Sequence, residues 1–174
     1  PVANSSGSAT ITVTVSDGSL SASDTFTVTV NAVNDAPTIS NVANQTINED
    51  GTTAPLAFTV SDTESSASLL TVTRTSSNTA LIPNAAVVIG GSGASRTVTV
   101  TPAANQNGTA TVTLTVTDPG GAAASDTFTV TVNAVNDAPT ITNVANQTIN
   151  EDGTTAPLAF TVSDTESSAS LLTV

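Results

Sequence analysis

Along most of this 174-residue chain, apolar and hydroxylic residues alternate one for one. ITVTVS (11–16), DTFTVTV (24–30), LAFTVS (56–61), LLTVT (69–73), RTVTVT (96–101) and ATVTLTV (110–116) share the pattern. A period of two puts the Val, Ile, Leu and Phe side chains on one face of a strand and Thr or Ser on the other, the mark of half-buried β-structure. Thr on the outer face keeps β propensity while remaining polar. Abundant Ser and Thr with little charge would also suit a disordered stalk, but a disordered segment has no reason to alternate. Helical periodicity is absent.

The pattern itself repeats. Residues 31–72 return at 133–174, an offset of 102, with a single difference at Ser40/Thr142. The preceding stretch 6–30 returns at 107–132 with one residue inserted, and PVANSSG (1–7) aligns with PAANQNG (102–108). Such a period matches a common domain size, so each repeat can own a core, unlike the short units of solenoids. Residues 1–35 then supply the last two strands of one repeat, 36–137 a complete repeat, and 138–174 the first three strands of the next.

Within the complete repeat, strands are predicted near Val42–Ile47, at Leu56–Ser61, at Leu69–Thr73 and near Ala80–Ile82. A weaker run at Ala86–Ile89 leads into Arg96–Thr101, followed by Ala110–Thr117 and Thr127–Val132. Turn chemistry separates them at Asp50-Gly51, Gly90-Gly91, Asn107-Gly108 and Pro119-Gly120-Gly121. About seven short strands in about 100 residues predict an all-β fold, a tandem series of seven-stranded Greek-key immunoglobulin-like β-sandwiches. Phe26, Phe58, Phe128 and Phe160 are the only aromatics, so the core is expected to be aliphatic.

Composition narrows the function. Two basic against fourteen acidic residues give a net charge of −12, which excludes nucleic acid and anionic membrane as partners. No apolar run is long enough for membrane insertion in this segment. With no Cys, His, Met, Trp or Tyr, and with Arg74 and Arg96 as its only basic residues, the chain lacks a disulfide framework, a soft-metal site and most catalytic groups. The two arginines are expected to neutralise neighbouring strands. Asn4, Asn44, Asn107 and Asn146 begin N-x-S/T sequons, which arise by chance in such a composition.

All fourteen acids fall at seven recurring places: Asp17/118, Asp24/126, Asp35/137, Glu49/151, Asp50/152, Asp62/164 and Glu64/166. If successive strands run up and down, the loops sort to two poles. Asp62, Glu64 and Asp118 then lie beside the upstream linker carrying Asn34 and Asp35. Glu49 and Asp50 lie beside the downstream linker carrying Asn136 and Asp137, and should converge with them on Asp164 and Glu166 of the next repeat. Asp24 and Asp126 read as turn or edge-protecting charges. Carboxylates so crowded repel unless a hard cation joins them. Ca²⁺, which takes 6–8 oxygen ligands, suits a donor set of carboxylate, carbonyl and amide oxygens with no competing nitrogen or sulfur.

These residues resemble the bacterial cadherin-like repeats of large surface and secreted proteins. The linker Val33-Asn34-Asp35-Ala36-Pro37, repeated as Val135-Asn136-Asp137-Ala138-Pro139, is similar to the inter-domain motif D-x-N-D-N-A-P with one residue missing. Asn48-Glu49-Asp50 resembles the glutamate motif closing the first strand, and Asp62-Thr63-Glu64 the D-x-D motif after the second. The resemblance implies Ca²⁺ bound between domains, stiffening the array. Two departures imply fewer or weaker ions: the L-D-R-E position reads Ala104-Asn105-Gln106, and the linker lacks its leading Asp and second Asn. Adhesive exchange of terminal strands, which needs a Trp in animal cadherins, has no residue here to carry it.

The expected function is therefore structural and not enzymatic: a repeat segment of a long extracellular, cell-surface fibre or adhesin stalk of a prokaryote. Its partners are neighbouring repeats of the same chain and, in a fibre, like chains. A multivalent glycan- or partner-binding array is the alternative, against which the shortage of aromatics stands. Glu49 and Asp50 as a hydrolase carboxylate pair would need a cleft that nothing else in the sequence supplies. The partial repeats at the two ends, lacking strands, should not fold alone; a window on a longer polypeptide is expected in preference to a filament subunit completed by strand exchange between chains.

Overall fold

The computed structural model describes residues 1–174. Strands β1 (Gly7–Ser16) and β2 (Ser21–Val30) form an isolated antiparallel hairpin. The repeat that follows contains β3 (Thr38–Ile39), β4 (Gln45–Asn48), β5 (Leu56–Ser61), β6 (Thr71–Ser76), β7 (Val87–Ser92), β8 (Ser95–Val100), β9 (Gly108–Thr117) and β10 (Ala123–Asn133). After it, β11 (Thr140–Ile141) pairs with β12 (Val162–Ser163), and the rest of the C-terminal segment is extended or turns. No helix is long and apolar enough to cross a membrane.

Within the repeat, four-stranded sheets ordered β4-β10-β9-β6 and β3-β5-β8-β7 face each other. The alternation explains the packing. Along β9, Ala110, Val112, Leu114 and Val116 are buried while the intervening Thr residues are only half covered. All sixteen buried hydrophobic core residues lie between Val42 and Val132. They are aliphatic except Phe58 and Phe128, as a chain poor in aromatics requires. The fold is the expected all-β immunoglobulin-like sandwich.

Three strands differ from their predicted positions. The first is two pieces: β3 pairs antiparallel with β5, the chain crosses over, and β4 pairs parallel with β10 in the opposite sheet. Both pieces alternate, and alternation says which way a side chain points but not which sheet it joins. The third strand lies at Thr71–Ser76, a little beyond Leu69–Thr73. No strand forms at Ala80–Ile82. Leu81 and Ile82 are consecutive and both buried, which a strand cannot provide; they plug the core from a crossover loop. Asn78 shapes that loop, its Oδ1 accepting Leu81 N at 3.2 Å and its main-chain oxygen accepting Ile82 N at 2.8 Å.

Both arginines also differ from expectation. Arg74 Nε donates to Asn84 O at 3.2 Å, and Arg96 donates to the carbonyls of Gly93, Ala67 and Leu70. Each closes loop carbonyls that the turns leave open rather than neutralising an acidic neighbour.

Candidate functional site

The upstream pole assembles around the linker at 34–35. Asp62 opens the loop after β5, where its Oδ1 accepts Glu64 N at 3.0 Å and Ser65 N at 2.6 Å. That turn presents Glu64, whose Oε2 accepts Asp35 N at 3.1 Å. Asp118 closes the β9–β10 turn, its Oδ1 accepting Ala122 N at 3.0 Å, and is 5% exposed. Its Oδ2 accepts Asn34 Nδ2 at 2.8 Å. Asn34, Asp35, Asp62, Glu64 and Asp118 thus form one connected network, with the two linker residues joining its halves.

Gly120 completes this pole. A Cβ there would stand 2.5 Å from Asn34 Oδ1, so only glycine lets the turn close over the linker amide. Sequence reasoning took Pro119-Gly120-Gly121 as turn chemistry alone. The signal available was the residue inserted there relative to the earlier copy. A cleft of about 570 Å³ opens on the same side, between the N-terminal segment and the repeat, with Asn4, Asn31, Asp35 and Glu64 in its wall.

At the downstream pole Glu49 is 5% exposed. Its N–H donates to Asn133 O at 2.9 Å and its Oε1 accepts Val135 N at 2.5 Å, fixing the linker's first residues. Asp50 turns aside in a left-handed conformation (φ 60°), and its Oδ1 accepts Asn105 N at 3.0 Å. The loops carrying Asp50 and Asn105 therefore share a pole, as up-and-down strands require. Asp137 N donates to Glu166 Oε2 at 3.0 Å, and Asp164 Oδ1 accepts Glu166 N at 3.1 Å and Ser167 N at 2.7 Å. This repeats the Asp35–Glu64–Asp62 arrangement. Asn136 does not repeat Asn34: its Nδ2 donates to Asp137 O at 2.9 Å.

The acids do not gather into one cluster. No group of three stands close enough to hold a single metal ion. Each accepts a main-chain N–H instead, and like charges keep apart. Two oxygens break that rule: Glu49 Oε2 and Asp62 Oδ2 are buried with no hydrogen-bond partner. They lie at opposite poles, each on a carboxylate whose other oxygen is held firmly. An all-oxygen set with orphaned carboxylate oxygens fits a hard divalent cation. Asp126 lies elsewhere; its carboxylate binds residues 41 and 42.

Comparison with known proteins places this architecture. The sequence profile of the bacterial Ig domain family matches residues 34–133. The chain belongs to that family. Bacterial Ig domains are typically structural or adhesive modules rather than enzymes. No curated protein is similar enough in sequence to match. Among solved structures, a protocadherin gammaB7 fragment (EC3-6, a cis-dimer structure) is 25% identical with a TM-score of 0.50, over 79% of this chain and 34% of that one. Domains 4 and 5 of the S-layer protein SbsC are 21% identical with a TM-score of 0.44, over 73% and 58%. A chimeric titin Z1Z2 is 16% identical with a TM-score of 0.41, over 72% and 62%. In each case this chain spans less than two thirds of the other.

Proposed function

We propose that this bacterial Ig-domain chain is a structural repeat segment of a long extracellular, cell-surface fibre or adhesin stalk, and that Ca²⁺ at the junctions between repeats stiffens it. The observation that carries the reading is the pair of buried, unpartnered carboxylate oxygens on Glu49 and Asp62, each beside a linker. At the upstream junction Asp62, Glu64, Asp118, Asn34 and Asp35 would hold the ion. At the downstream junction Glu49, Asp50, Asn136 and Asp137 would do so with Asp164 and Glu166. A bound cation supplies the positive charge these carboxylates lack and makes one body of two repeats and their linker.

Binding that favours the ordered state stabilises it by RT ln(1 + [L]/Kd), about 1.4 kcal/mol at ten times Kd. Extracellular modules bind Ca²⁺ with Kd of roughly 0.1–1 mM, so millimolar Ca²⁺ suffices. Calorimetry and small-angle scattering test this on the whole chain. Added Ca²⁺ is expected to raise the melting temperature and extend the particle, and a chelator to reverse both. Identical melting curves and scattering profiles in the two buffers would sink the metal assignment.

A further inference from the structure

By main-chain pairing, the parallel pair β4–β10 is short, Gln45–Asn48 against Val130–Asn133. Side chains carry the pairing further at both ends. Upstream, Asp126 Oδ2 accepts Val42 N at 2.8 Å and its Oδ1 accepts Asn41 Nδ2 at 3.3 Å, while Asn44 Oδ1 accepts Thr129 N at 2.8 Å. Downstream, Glu49 N donates to Asn133 O, and Glu49 Oε1 accepts Val135 N. Residues 41–49 are therefore bonded along 126–135, with a side-chain oxygen standing in wherever the two main chains diverge.

The direction of this seam matters. The upstream linker joins the repeat ahead of β4 and the downstream linker leaves it after β10, and the two strands run parallel. Opposed pulls on the linkers therefore slide β4 past β10. Bonds lying crosswise to that motion share the load and must fail together, whereas a hairpin opened from one end loses its bonds singly. The β3–β5 contact meets the load earlier, but it pairs only Thr38 with Ser61 and Ile39 with Val60.

We propose that the seam of 41–49 on 126–135 is the load-bearing element of the repeat, with Asp126, Asn44 and Glu49 as its side-chain rungs. The inference rests on the stalk reading only for where load arrives, through the linkers, and it does not require Ca²⁺. It gives Asp126 a positioning role that a solvated edge charge would not have.

The test stretches the 174-residue chain between cysteine handles added at its two ends, in chelator and in millimolar Ca²⁺; the chain has no other cysteine. Asp126→Ala is expected to lower the unfolding force of the repeat about twofold, since bonds to a charged acceptor are the stronger ones. Asp126→Asn, which keeps an oxygen for Val42 N, should recover most of that loss. Val98→Ala, in the core of the opposite sheet, should lower the melting temperature while leaving the force close to wild type. If Asp126→Ala does not fold, Asn44→Ala on the exposed side of the seam reads the same loss. An unchanged force in the Asp126 and Asn44 variants, or an equal loss in Val98→Ala, would overturn the proposal. A wild-type force that ignores Ca²⁺ counts against the ion reading and leaves the seam standing.

Discussion

Glu49 combines a satisfied oxygen with an orphaned one on the same buried carboxylate. Leaving a buried acceptor unpaired costs about 1–3 kcal/mol, and more when it is charged. Glu49→Gln keeps an oxygen for Val135 N and removes the charge. The variant is therefore expected to melt at or above the wild-type temperature in chelator and to lose any rise on adding Ca²⁺, whereas Glu49→Ala should be less stable in both buffers. A Glu49→Gln chain that still gains the full Ca²⁺ increment would show that Oε2 is not the ion's ligand. Asp17, the counterpart of Asp118, makes a prediction about pH. Its Oδ1 accepts Leu20 N at 2.8 Å and Ser19 N at 2.9 Å, and these bonds to the charged form hold its carboxyl below the ordinary value of 3.8. A depressed carboxylate pKa contributes stability above the unfolded value that is lost as pH falls through the folded one. The turn at 17–20 should therefore persist at pH 4 and open only below 3.8. Carbon-detected NMR of the Asp17 carboxyl checks this; a midpoint at or above 3.8 contradicts it.

The elements show where sequence reasoning reaches and where it stops. Strand β5 lies at Leu56–Ser61, where alternation puts it, because its pattern is uninterrupted and both neighbours come from the same sheet. The grouping of Asn34, Asp35, Asp62, Glu64 and Asp118 was also legible, since strand direction alone brings those loops to one pole. The split of the first strand was not. Its crossing is held by Asp126 and Asn44, whose partners lie 84 and 85 residues away and leave no local trace. Nor was the plug formed by Leu81 and Ile82, because two adjacent buried residues break the period on which strand prediction depends. Gly120 belongs to this scale, as the place where one turn meets the linker. Gly120→Ala should push Asn34 off Asp118 and cost about 1–2 kcal/mol. Gly121, with φ of 92° and open space around it, is the control: alanine there strains the backbone but leaves Asn34 seated. The Asn34 side-chain amide resonances should move in the first variant and stay in the second.

At the scale of the whole molecule, the same sequence meets two different surroundings. Phe26 sits opposite Ile11 in β1–β2 as Phe128 sits opposite Val112 in β9–β10, within matching DTFTVTV segments. Phe128 is 1% exposed and Phe26 51% exposed. Local propensity is thus equal, and the difference lies in the facing sheet β3-β5-β8-β7, which covers Phe128 alone. Strand pairing without that second layer leaves an apolar face in water, and an isolated hairpin has little stability of its own. Phe128→Ala should therefore cost about 3–5 kcal/mol. For a unit of about 100 residues, roughly 4–8 °C per kcal/mol makes that a fall of well over 10 °C in melting temperature. Phe26→Ala should leave the transition where it is. Calorimetry on the two variants of the full chain decides the matter. Equal shifts would mean that the hairpin's apolar face is covered in solution and that stability is shared beyond residues 36–137. A shift in Phe128→Ala alone would make the closed sandwich the cooperative unit. The linkers would then be the only route by which one repeat feels the next, so the acids at the poles, and not the cores, would set the stiffness of the array.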